Sequence, residues 1–171
     1  MKKIFAYLFV VIFLNAAYFA NAQVLWQNTK YGMTVNEVKS LYPNSVTLNR
    51  PNLFIYSGAK GLLELNNIEI VSQMFKATFY FSANNNKLEQ VTLECTDKIT
   101  EHKGKLIYNS LLEVLISKYG NPITKGKNLV LISSATWLSG DTNISLNLLE
   151  LNETTLNIVY QVRLAKEKNK L

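Results

Sequence analysis

The chain has 171 residues, a formal net charge of +6, one cysteine and one histidine. That is the size of one ordinary domain or two very small ones, enough to bury a core. A single cysteine rules out an internal disulfide framework. Much of the basic surplus sits in the closing "LAKEKNKL" rather than in a basic stripe interleaved with aromatics, which argues against a nucleic-acid partner.

The opening "MKKIFAYLFVVIFLNAAYFANA" has the layout of a secretory leader. Lys2 and Lys3 supply the positive start, Ile4 to Leu14 the apolar run, and Ala20 and Ala22 the small residues a signal peptidase reads. The run is shorter than the ~20 apolar residues a membrane span needs, and no cysteine stands there to carry a lipid. Cleavage after Ala22 is expected, giving a periplasmic or secreted protein with no stable membrane anchor. Its loss removes Lys2 and Lys3, along with Phe5, Tyr7, Phe9, Phe13, Tyr18 and Phe19 from the aromatics.

After this leader, "YGMTVNEVKSLYP" predicts a helix. Thr34 and Glu37 form a T-x-x-E capping pattern, Val35, Val38 and Leu41 share a face, and Pro43 ends it. Two short apolar runs follow, separated by Gly58 and Gly61, and an Asn66–Asn67 turn is expected to place Glu64 and Glu69 across a hairpin. Phe75, Ala77, Phe79 and Phe81 then alternate with Lys76, Thr78 and Tyr80, the period-2 signature of a half-buried strand. "SANNNK" turns the chain, and Leu88 to Cys95 returns as the paired strand. "TDKITEHKGK" is polar and reads as a linker. Tyr108, Leu111, Leu112, Leu115 and Tyr119 are spaced for a second helix, closed by Gly120 and Pro122. "NLVLIS", "SATWLS", Ile144 to Leu148 and Leu156 to Val162 complete the chain as strands, with a turn at "GDTN".

Laid over residues 108–124, residues 31–47 match at Tyr31/Tyr108, Ser40/Ser117, Tyr42/Tyr119, Asn44/Asn121 and Thr47/Thr124. Each segment is followed by strand, polar turn and strand. The expected fold is therefore α+β, a tandem repeat of helix plus curved antiparallel sheet. The expected organisation is a leader at 1–22, a first unit at 23–97, a linker at 98–104, a second unit at 105–165 and a basic tail at 166–171.

"YGMTVNEVKSLYP" resembles the Gly-Met-Thr-x-x-Glu-Val opening of small bacterial envelope proteins, among them the lipoprotein that assists outer-membrane barrel assembly. "LLEVLISKYGNP", "ATWLSGDTNISL" and "LNIVYQ" resemble the strand-rich half of exported proteins of similar architecture. The tandem form is similar to the secreted β-lactamase-inhibitor-protein group. These resemblances cover about a third of the chain and imply a fold together with a habit of binding other proteins. Two departures stand beside them: Gln23 occupies the place of the lipidated cysteine, and the disulfides of the inhibitor group are impossible here.

No constellation for catalysis emerges from the residues. The only histidine, His102, sits in the polar linker, and Ser133 and Ser134 lack the Gly-flanked nucleophile elbow. No Cys/His spacing suits a metal, so neither metal nor cofactor is expected. Cys95 shares the alternation of Val91 and Leu93 and reads as a small buried hydrophobe. Tyr56, Tyr80 and Trp137 are the candidate partner-binding residues, as aromatic anchors on the open face of the sheet. The functional expectation is a non-catalytic exported module binding a protein in the periplasm or outside the cell. The alternative is a small-ligand or lipid carrier using the curved sheet as a cup.

Overall fold

The structure is a computed structural model that describes residues 23–53, 58–150 and 152–163. The leader, Tyr56 and the basic tail lie outside the described residues. The elements run α1 (Val35–Leu41), β1 (Val46–Leu53), β2 (Lys60–Ile70), β3 (Gln73–Phe81), β4 (Leu88–Cys95), α2 (Glu101–Tyr119), β5 (Thr124–Gly126), β6 (Leu131–Ser139), β7 (Thr142–Glu150) and β8 (Thr154–Val162). All eight strands join one antiparallel sheet in the order β1-β2-β3-β4-β8-β7-β6-β5. Among the described residues the protein is thus α+β, with one continuous sheet and two helices.

The alternation read in β3 fixes which face is covered. Phe75, Ala77, Phe79 and Phe81 are fully buried, and their cross-strand neighbours Val91 and Leu93 are buried with them. The same face continues through Ile158 and Tyr160 of β8, Ile144, Leu146 and Leu148 of β7, and Ala135 and Trp137 of β6. Helix α2 lies over β6, β7 and β8, burying Ile107, Tyr108, Leu111 and Leu115. It approaches so closely at Gly104 that a Cβ there would meet Leu148 Cδ1 at 2.8 Å and Thr154 Cγ2 at 3.2 Å. At its far end the Trp137 indole Nε1 donates to the Gly120 carbonyl at 2.8 Å, satisfying one of the helix's free carbonyls.

The short helix α1 forms as its capping pattern predicts. The Glu37 N–H donates to Thr34 Oγ1 at 3.2 Å, and the Thr34 N–H donates to Glu37 Oε2 at 2.7 Å. This bond holds the Glu37 carboxyl below the usual carboxylate range. Seven residues are too few for a stable isolated helix, so packing must hold it. Val38 is fully buried, and Tyr42 at the C-cap stacks between Trp26 and Phe79 with ring centroids 5.8 and 5.4 Å away. The N-terminal segment ties the two halves of the sheet together, reaching β4 on one side and β6 and β7 on the other. Gly32 N–H donates to the Leu88 carbonyl at 2.9 Å, Thr142 Oγ1 donates to the Val24 carbonyl at 2.7 Å, and Gln23 Nε2 donates to the Ser139 carbonyl at 2.9 Å.

Three expectations are corrected. Asn66–Asn67 is not a hairpin turn but a bulge within the long strand β2, where Asn67 takes φ 59° and the register shifts between Leu65 and Ile68. Glu64 and Glu69 therefore lie on one strand. The actual reversal is at Val71–Ser72, both at positive φ (47° and 58°), between the paired Ile70 and Gln73. Residues 101–104, expected in the linker, are the first turn of α2, capped by Thr100 Oγ1, which accepts from the Lys103 N–H at 3.3 Å. Finally, "NLVLIS" and "SATWLS" yield a single strand, β6, not two.

Two consequences are measurable. A tight two-residue hairpin favours Asn-Gly, and a β-branched residue at positive φ is strained. Replacing the turn pair by Val71→Asn with Ser72→Gly is expected to raise stability by up to about 1 kcal/mol, a few degrees in Tm. Conversely, Gly104→Val inserts methyls where there is no room and is expected to cost about 1–3 kcal/mol in denaturant unfolding, more than helix propensity returns.

Candidate binding face and its surroundings

Directly opposed residues share a face of a sheet, so the register defines the surface away from the helices. One row crosses all eight strands: Val46, Glu64, Thr78, Thr92, Val159, Ser145, Thr136 and Thr124. On one side of it runs Tyr80, Gln90, Gln161, Asn143 and Leu138. On the other run Lys76, Glu94, Asn157, Asn147 and Ser134. Most are half-buried, as side chains on an uncovered sheet face are. The described helices and N-terminal segment pack on the opposite face.

This surface is built from short neutral polar side chains. They are partly tied to one another: Gln90 Nε2 donates to Thr92 Oγ1 at 3.0 Å, and Asn147 Nδ2 donates to Asn157 Oδ1 at 3.0 Å. Within these three rows charge is confined to one cluster, where the Lys76 ammonium lies 3.6 Å from Glu94 and 3.9 Å from Glu64. Such half-exposed pairs are worth about 0–1 kcal/mol, so the cluster positions side chains more than it stabilises the fold. Burial, assisted by the charges of Glu94 and Glu64, pushes the Tyr80 phenol up, so it stays neutral and able to donate. Gln90 is fully buried, and its Oε1 has no hydrogen-bond partner among the described residues. An unpaired buried acceptor costs about 1–3 kcal/mol, which makes Gln90 the most demanding polar group on the face.

Of the three aromatic candidates, Tyr80 lies on this open face and Tyr56 lies outside the described residues. Trp137 does not lie there. It is 1 % exposed on the helix side, opposite Ile144, because its indole N–H is needed at the end of α2. Alternation along β6 held the signal for this: Trp137 shares the parity of Ala135, while Thr136 and Leu138 face outward. Sequence reasoning missed the Gln90–Gln161–Asn143 row because isolated polar residues in strands read as solvated positions, and only the β4–β8 register makes them neighbours.

The candidates for chemistry are dispersed. His102 is exposed on the first turn of α2. Ser133 and Ser134 fall on opposite sides of β6, opposing Leu148 and Asn147. Among the described residues, no group of three or more His, Cys, Asp or Glu side chains could hold a metal ion. Cys95 is half-buried opposite Phe75 and borders an open cleft of about 540 Å³ with Lys76, Glu94, Asp97, Lys98 and Glu153. Burial pushes its thiol up, the Asp97 and Glu94 charges add to this, and the Asp97 backbone N–H and Lys103 oppose it. That is the reverse of an activated nucleophile, which needs a lowered pKa. No helix of the described residues is long and apolar enough to cross a membrane.

No protein-family model matches the chain, and searches of curated proteins and of solved structures give no significant match.

The Cys95 environment sets a reactivity that can be checked. Alkylation by iodoacetamide at pH 8 is expected to be several-fold slower than for a free thiol of ordinary pKa, and to reach the free rate in denaturant. Because folding raises this pKa, the stability linked to the neutral thiol is full below the ordinary value of 9.0 and declines as pH rises above it.

Proposed function

We propose that the protein is an exported, non-catalytic module that binds another protein through the helix-free face of its sheet. An inhibitor or a cell-envelope accessory fits this description. The observation that carries the reading is the row of mostly neutral polar residues running from Val46 to Thr124 across all eight strands. With strands about 4.8 Å apart and about 3.3 Å per residue, the face measures roughly 34 by 30 Å, or about 1,000 Å². A standard protein interface uses about 800 Å² per partner. Thr, Ser, Asn and Gln offer adaptable hydrogen bonds, and Tyr80 offers a rigid amphipathic ring, the mixture that recognition surfaces favour. The leader-like residues 1–22 support a periplasmic or secreted location.

The tandem reading of the fold belongs to the same proposal. Helix α1 precedes the meander β1–β4, and helix α2 precedes the meander β5–β8. The sheet order places the last strand of each meander, β4 and β8, side by side. Both helices end beside a tyrosine, Tyr42 and Tyr119, that packs on the core. A duplicated helix-plus-four-strand unit accounts for this order, with the second helix lengthened at its N-terminus.

Immobilised protein should retain a specific partner from periplasm or culture medium. A Ser145→Arg, Thr136→Arg double variant places two charges on the β7–β6 part of the face and should weaken capture about tenfold or more, equivalent to about 1.4 kcal/mol. Leu106→Arg with Val114→Arg, on the exposed side of α2, should leave it unchanged. Equal capture by both double variants would remove the helix-free face from the account.

A further inference from the structure

A second feature lies on the helix side of the sheet. A cleft of about 450 Å³ opens between α2 and the β5–β6 edge. That volume falls within the range of small-molecule sites. Its apolar lining comes from Tyr108 and Leu112 of α2 and Ile132 of β6, and its polar lining includes Lys125, Lys127 and Ser133. Tyr108 is only 6 % exposed, but its hydroxyl is not among the buried polar atoms: it reaches the solvent side of the cleft and makes no hydrogen bond to a described residue. The Ser133 hydroxyl and the Lys125 and Lys127 ammonium groups likewise have none there.

Four donors that make no bond to a described residue, two of them exposed lysines, therefore line one partly apolar cleft, and the charged side chains lining it are both positive. Between Glu113 and Asp141 the sequence contains no Asp or Glu. A purely structural seam would not need two lysines, and a patch that merely attracts ions would not need an apolar floor. The combination matches a ligand with an anionic head and an apolar tail.

We propose that this cleft binds a single-chain anionic amphiphile, such as a fatty acid or an alkyl phosphate. Lys125, Lys127 and the Tyr108 hydroxyl recognise the carboxylate or phosphate head, and Leu112 and Ile132 carry the tail. The Tyr108 phenol, pushed up by burial, remains a donor to such a head at neutral pH. The site shares Ser134 with the edge of the polar face and does not depend on the protein-binding proposal. It also moves the carrier idea from the sheet surface to the helix–strand seam.

The test is titration calorimetry with the protein purified after export by its own leader. Dodecanoate, kept below its micelle concentration, should bind saturably at one per chain. Lys125→Glu with Lys127→Glu should weaken binding at least tenfold, Tyr108→Phe several-fold, and Ile132→Trp should block it by filling the cleft. Uncharged decyl maltoside should bind at least tenfold more weakly, and acetate, the head alone, should not bind measurably. Circular dichroism checks that each variant folds, and Lys125→Gln with Lys127→Gln replaces the charge reversal if it does not. Dodecyl phosphate in place of dodecanoate distinguishes the two head groups, and tighter binding of either one fits the proposal. The proposal is overturned if dodecanoate does not bind saturably, if decyl maltoside binds as well, or if neutralising both lysines leaves affinity unchanged. It is equally overturned if the protein binds only anionic phospholipid vesicles, since the lysines then serve a membrane surface and not a cleft.

Discussion

The pairing of β4 with β8 is the interaction on which the rest depends. Five positions, Gln90 to Glu94, run antiparallel to Asn157 to Gln161. These strands are separated in sequence by α2 and three further strands, so the ladder is a long-range contact whose loop entropy must be met by burial. It is met on one side by Val91 and Leu93 against Tyr160 and Ile158, all buried. Without this seam the protein would be two four-stranded meanders, each with an additional unpaired edge. With it, the remaining edges are β1, which carries Pro51, and β5, three residues long. Proline and short length are both recognised ways of blunting an edge against unwanted pairing.

The seam also makes each face continuous. Toward the helices it joins the Phe-rich core of β3 to the Ile/Leu-rich core of β7 and β8. Away from them it joins Tyr80 and Gln90 to Gln161 and Asn143. Neither half contains this polar row alone, so the candidate binding surface is a product of assembly and not of a local motif. The buried Gln90 sits at the join, with its amide anchored to Thr92 and its carbonyl oxygen unpaired among the described residues. The Gln90–Thr92 bond lies within β4 and survives a shift in register, whereas the cross-strand Asn147–Asn157 bond would be lost by one.

Much of the fold was legible in the sequence, for identifiable reasons. The α1 cap, the β3–β4 hairpin and the β7–β8 alternation each carry their signal within a few consecutive residues, and each is present. The failures share a cause as well. Asn66–Asn67 has the chemistry of a turn and became a bulge, while Val71–Ser72 has poor turn chemistry and became the turn, because the facing register of β2 and β3 decided it. The first turn of α2 looked like a linker because its Gly104 reads as a breaker. Only the close approach of Leu148 and Thr154 explains a glycine there. Trp137 was misplaced because an aromatic was valued for its size before its strand parity was counted. The polar row and the helix–strand cleft were not legible at all, since each draws on elements far apart in the chain.

The central claim is that the helix-free face is the working surface. Hydroxyl-radical footprinting of the protein alone and with its captured partner tests it most directly. Tyr80 and Leu138 report the helix-free face, and Leu106 and Val114, both well exposed, report the outer side of α2. The account predicts that the partner protects Tyr80 and Leu138 and leaves Leu106 and Val114 as reactive as before. Protection of Leu106 and Val114 with Tyr80 and Leu138 unchanged would contradict it.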